Sequence, residues 1–172
     1  MYHKSDSFSP TKIHFLISIL LASSLSYAAD AAKLEIFMTT NSCKYCDLTD
    51  ANFAGKNLRG ADFENANVGG ASMAKADLSE KPLEKRTLAT NFQSANLKKT
   101  DLAGANLTRA DFSNAYLRDT NFTGANLTGA ILTGANIKGA NFTGAKLDGA
   151  KLDDAKFCNT TMPDGSVNNS GC

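Results

Sequence analysis

Four cysteines are the residues of this 172-residue chain whose type and spacing could do chemistry. Cys43 and Cys46 enclose Lys44 and Tyr45 in a C-x-x-C motif, while Cys158 and Cys172 stand near the other end. That motif serves a redox-active dithiol, half of a tetrahedral zinc site, or covalent haem attachment. Haem attachment needs a histidine directly after the motif, and Asp47 stands there instead. A thioredoxin-like dithiol needs a βαβ setting, so the elements around the cysteines decide what they do.

The first of those elements is a leader. Lys4 and Lys12 precede an apolar run from Ile13 to Leu21, and Ser26 and Ala28 carry the small side chains that a signal peptidase reads. The run falls short of the roughly 20 residues that span a bilayer. The expectation is therefore a signal peptide over residues 1–28, cleaved after Ala28, with the mature chain in a periplasm or outside the cell and no membrane attachment once the leader is gone. Both histidines, His3 and His14, leave with it. A mature chain without histidine has no histidine general base and no histidine metal ligand. Losing Lys4, Lys12 and Asp6 takes the chain from 18 basic and 17 acidic residues to 16 of each. An even balance argues against nucleic acid as a partner, and equally against imitation of it.

Most of the rest is one repeated phrase. An apolar centre returns at every fifth residue from Leu48 to Leu78, seven in all, and after an interruption from Phe92 to Met162, fifteen more. Two residues before most centres stands a small residue, such as Ala105, Ala125 or Ala140, with Thr90, Thr100, Thr120 and Thr160 as substitutes. The phrase is A-[N/D]-[L/F]-x-x. A period of five fits neither a helix face at 3.6 nor a strand face at 2. A chain that turns a corner every five residues can aim both the centre and the small residue inward on each side. Successive coils then stack as a solenoid, pairing backbones at about 4.8 Å. Glycines such as Gly104 and Gly124 precede the small residue because a corner needs permissive backbone.

From Cys46 to about Met162 the chain resembles the pentapeptide-repeat family. The resemblance implies an all-β fold, a right-handed quadrilateral β-helix with four repeats per coil, in which residues twenty apart stack, Phe92 with Phe112 and Phe122 with Phe142. Twenty-two repeats make about five and a half coils, a rod about 26 Å long. Residues 29–45 are read as an N-terminal cap, with Leu34, Ile36 and Phe37 available to cover the first coil. Residues 46–162 are the β-helix, and 163–172 a C-terminal cap. Between Leu78 and Phe92 the phase slips to fourteen residues, so this stretch is either a shortened coil or a looped excursion near 79–91; Pro82 and the charges from Glu80 to Arg86 favour the loop.

With that fold the cysteines take a structural reading. The two pairs lie at opposite ends of the rod, so a four-cysteine zinc site is excluded. Cys46 holds the slot of the small residue before Leu48. An exported chain favours disulfides, Cys43 with Cys46 and Cys158 with Cys172, the latter closing a fifteen-residue loop worth about 3 kcal/mol in the chain-entropy model. Lys146, Lys151 and Lys156 alternate with Asp148, Asp153 and Asp154 and read as neighbouring opposite charges on a solvated face. Short threonine columns, Thr123 with Thr143 and Thr108 with Thr128, are divided between faces and too short to order ice. No catalytic, cofactor or metal residues are assigned. The functional expectation is a non-catalytic exported scaffold that binds a protein partner the sequence does not identify. The alternatives are a topoisomerase-directed DNA mimic and a thiol–disulfide exchange protein using Cys43 and Cys46.

Overall fold

The computed structural model describes residues 37–172 apart from residue 85. The leader reading, and the contributions of Leu34 and Ile36 to the cap, lie outside the described residues. Residues 37–40 are helical, which settles the cap's nature where it meets the first coil. Phe37 is buried there, with its ring centroid 5.6 Å from that of Phe53 and 5.0 Å from that of Phe63.

The chain then coils with a period of twenty residues. Parallel bridges join Asn91 to Asp111, Asn96 to Tyr116, Asp101 to Asn121 and Asn106 to Asn126, and the pattern repeats upward to Asn141 with Thr161. Each side of a coil contributes a single bridged residue, because the chain leaves the extended conformation for a turn before a second can pair. Named strands are therefore few: β1 (Lys81–Pro82), β2 (Thr87–Leu88), β3 (Thr160–Thr161) and β4 (Val167–Asn168), in two antiparallel hairpins. The coils themselves show no extended sheet. Regular backbone bonds hold them together instead, as when the amide of Leu107 donates to Asn126 O at 2.7 Å and that of Asn126 donates to Ala105 O at 2.9 Å.

Coiling begins earlier than the sequence pattern indicates. Ser42 bridges Asp62, and the buried Cys43 occupies the centre slot five residues before Leu48. The cysteine hides this first repeat from a search for Leu and Phe. In the interruption the bridge spacing widens from 20 to 29, with Asp62 joined to Asn91 and Asp77 to Asn106. Nine residues are thus extruded as the β1–β2 hairpin and the coil stays full. Phe63 still stacks on Phe92, rings 4.9 Å apart and 4° from parallel.

The core is two kinds of column. Centres such as Phe92, Leu97, Leu102 and Leu107 are fully buried, as are the small residues between them. Phe92 stacks on Phe112 at 4.9 Å and Phe122 on Phe142 at 4.7 Å. Threonines in the small slot keep their hydroxyls satisfied: Thr100 Oγ1 donates to Val68 O at 2.8 Å and Thr120 Oγ1 to Leu97 O at 2.7 Å.

The Asn or Asp before most centres is also structural. Asn121 Oδ1 accepts from the amide of Thr123 at 3.1 Å, forming an Asx turn at the corner. Its Nδ2 donates to Asp101 Oδ1 in the coil before, at 3.0 Å. One side chain so fixes the turn and links the coils. Two residues after the centre the backbone is left-handed, at Gly124 (φ 65°) for example, but also at Lys99 (φ 60°) and Arg109 (φ 58°). Gly139 has a second reason to be glycine, since a Cβ there would overlap the carboxylate of Asp119 one coil before.

The inward and outward slots should respond differently to charge. Leu127→Lys, a buried centre, strands an unpaired ammonium in the core and should abolish folding or nearly so, whereas Thr128→Lys should change stability by less than about 0.5 kcal/mol. Chemical denaturation of the two variants measures this, and equal effects would contradict the assignment of the slots.

Candidate functional site

The candidate chemistry lies at the two ends of the coil stack and on its outward faces. At the first end, Cys43 fills a centre slot and Cys46 the small slot of the next repeat. Both are buried, their Cα atoms 5.4 Å apart and their sulfurs at disulfide distance. Lys44 between them does not face the sulfurs as an activating cation. Its Nζ lies 2.6 Å from Glu64 Oε2 and 3.2 Å from Asp62 Oδ2. Hydrogen bonding to Glu64 and then Asp62 holds its pKa above the ordinary lysine value. A reactive dithiol is exposed and electropositive; this one is buried.

At the other end, Cys158 and Cys172 have Cα atoms 4.8 Å apart and sulfurs again at disulfide distance. The β3–β4 hairpin folds the tail back between them. Its turn is set by Asp164, whose carboxylate accepts from the Ser166 hydroxyl at 2.6 Å and the Ser166 amide at 2.9 Å. Those bonds hold the Asp164 carboxyl below the usual range. Coverage of this end is partial, for Leu147, Leu152 and Phe157 remain only part-buried.

The lysine ring belongs to this end. Lys146, Lys151 and Lys156 are the last bridged residues on their three sides, and among the described residues none has a further coil bonded beyond it. They are exposed together with Asp148, Asp153 and Asp154, in keeping with neighbouring opposite charges on a solvated face, and among the described residues no ion pair joins them. They stand where the edge would otherwise template another strand, and an edge lysine blocks such pairing. The signal for this was present in the sequence: the slot before the centre is Asn, Asp or Ser in most repeats and turns to Lys in the last coil alone.

The threonine columns are in register, as the spacing implies, but their hydroxyls are occupied. Thr123 Oγ1 donates to Asn121 Oδ1 at 2.6 Å and Thr128 Oγ1 to Asn126 Oδ1 at 2.7 Å. One face was missed by sequence reasoning. A shallow depression among Asn96, Lys98, Tyr116, Arg118 and Asn136 collects residues from three successive coils, and only the twenty-residue register brings them together.

Buried columns, bridged coils and capped ends define a solenoid of stacked five-residue repeats. The sequence matches the family of pentapeptide repeats in eight copies over residues 42–79, 89–124 and 120–159, and the chain belongs to that family. Its members adopt a right-handed quadrilateral β-helix and are in general structural or interaction proteins. A pentapeptide repeat protein from the cyanobacterium Cyanothece is similar in structure, with a TM-score of 0.69 at 25% identity over 76% of this chain and 97% of that one. A pentapeptide repeat protein from the Arabidopsis thaliana thylakoid lumen is 36% identical, with a TM-score of 0.52 over 58% of this chain and 63% of that one. No curated protein matches the sequence.

With the sulfurs placed as they are, peptide mapping without reduction should recover Cys43 linked to Cys46 and Cys158 linked to Cys172. A Cys46–Cys158 link would contradict the separation of the two ends.

Proposed function

We infer that this protein is a non-catalytic exported scaffold, a right-handed quadrilateral β-helix that binds a protein partner through its flat outward faces. The observation that carries the reading is the allocation of side chains. Every centre from Phe53 to Ile137 and, save for the exposed Lys56, every residue of the small slot up to Ala140 is buried in the core, so the outward slots remain for recognition, repeated at a constant step along a rigid rod. Such a surface suits many weak contacts in register.

Export is part of the proposal. It rests on the leader-like residues 1–28 and on cysteine pairs at disulfide distance at both ends, an arrangement that persists in oxidising compartments. A relative from the thylakoid lumen places one family member outside a cytoplasm. Both pairs are proposed to be oxidised in the mature protein, sealing ends that would otherwise fray. The even charge balance of the mature chain speaks against a topoisomerase-directed DNA mimic, and the burial of Cys43 and Cys46 speaks against thiol exchange.

Cross-linking of the mature protein in periplasmic extract tests the reading. Cys43→Ser with Cys46→Ser should lower the melting temperature while preserving whatever protein cross-links form, and neither form should reduce insulin. Undiminished stability together with a lost thiol-exchange activity would make the motif chemical and overturn the scaffold.

A further inference from the structure

We propose that the side of the coil stack bearing Tyr116 binds a linear acidic polysaccharide. Three features meet there and nowhere else among the described residues. The first is a column of cations: Lys98, Arg118 and Lys138 occupy the same outward slot in three successive coils, set by the bridges from Asn96 to Tyr116 and from Tyr116 to Asn136. At the level of Arg118 the same slot on the other sides holds Ser113, Thr123 and Thr128. Arg118 is 63% exposed, and its one ion-pair partner among the described residues, Asp119, lies 3.8 Å from Nε.

The second is the ring. On this side the slot before the centre reads Asn67, Asn96, Tyr116 and Asn136, and Asn96 Nδ2 donates to Asn67 Oδ1 at 2.9 Å in the coil-linking ladder. Tyr116 interrupts the ladder and leaves its side chain 57% exposed. An asparagine here would extend the ladder, so the tyrosine forgoes a local bond to present an aromatic plane to solvent. The third is the pair of amides, Asn96 and Asn136, which flank the ring and form with it, Lys98 and Arg118 the walls of the depression. Amides both donate and accept, as sugar hydroxyls do.

Their chemistry selects the ligand class. Cations spaced one per coil, about 4.8 Å apart, form a line of positive charge that complements a polymer carrying a carboxylate on each sugar ring. Arginine adds bidentate recognition of a carboxylate. The tyrosine face stacks on one sugar ring, and the Asn136 Nδ2 together with the second Nδ2 hydrogen that Asn96 keeps beside its bond to Asn67 reads its hydroxyls. A single-stranded nucleic acid needs a succession of aromatic platforms for its bases, and this side offers one. An acidic peptide would use the cations and leave the ring and amides idle. This ligand is additional to a protein partner and stands or falls independently of it.

Titration of the full-length protein with a polygalacturonate oligosaccharide tests the proposal, with dextran, oligothymidylate and polyglutamate as comparison ligands. Polygalacturonate should bind more tightly than all three, weakening as salt rises. Tyr116→Asn should keep the parent's melting temperature and weaken binding by about tenfold, a 1.4 kcal/mol difference, and Arg118→Gln should weaken it comparably. Absent polygalacturonate binding, an unaltered affinity in Tyr116→Asn, or equal or tighter binding of oligothymidylate or polyglutamate would each overturn it.

Discussion

The narrow interior of the coil is the constraint on which everything else depends. A five-residue side leaves room for one large and one small inward residue, and the backbone must leave the extended conformation at each corner. That space rule sets the period of five. It also explains why phenylalanines meet their own kind one coil on, as Phe92 does with Phe112 and Phe122 with Phe142. Threonine enters the small slot only with its hydroxyl tied to a carbonyl of a neighbouring turn, as at Thr100 and Thr120. An unsatisfied hydroxyl in so tight a core would cost more than the extra methyl group returns.

Corners impose the second rule. They call for a left-handed residue two after the centre, and at most of them Asn or Asp before the centre supplies an acceptor as an Asx turn. Lysine, arginine and serine hold left-handed backbone at several corners, at a cost of about 1–2 kcal/mol per residue in the intrinsic preference. The coil-to-coil bonds over-determine their conformation. Ends lack that support on one side. Hence the first coil is covered by Phe37 and spanned by Cys43 and Cys46, and the last is bounded by lysines, a hairpin and the Cys158–Cys172 pair.

Much of this was legible in the residues. The centres, the small slot and the twenty-residue stacking follow from period and size, which are written directly in the sequence. Three features were not. Cys43 is a centre, but a cysteine does not look like Leu or Phe until the neighbouring coil is seen to bridge Ser42. The role of the Asn and Asp written into the repeated phrase before the centre was not legible, because an Asx turn is a property of backbone geometry and not of composition. The side bearing Lys98, Tyr116 and Arg118 was invisible for a different reason: its members lie up to forty residues apart between Asn96 and Asn136, and only the coil register unites them. The hairpin near 79–91 was half legible, since Pro82 and the charges signal a loop while the preserved Phe63–Phe92 stack depends on how the coils meet in space.

Amide hydrogen exchange resolved by residue tests the central claim, that coils bonded to the next coil carry the structure and that bonding stops at the lysine edge. The amides of Leu102, Leu107 and Phe112 donate to the coil beyond and should exchange slowly, whereas those of Leu147 and Leu152 face no further coil and should exchange quickly. Equal protection of Leu147, Leu152 and Leu107 would contradict it.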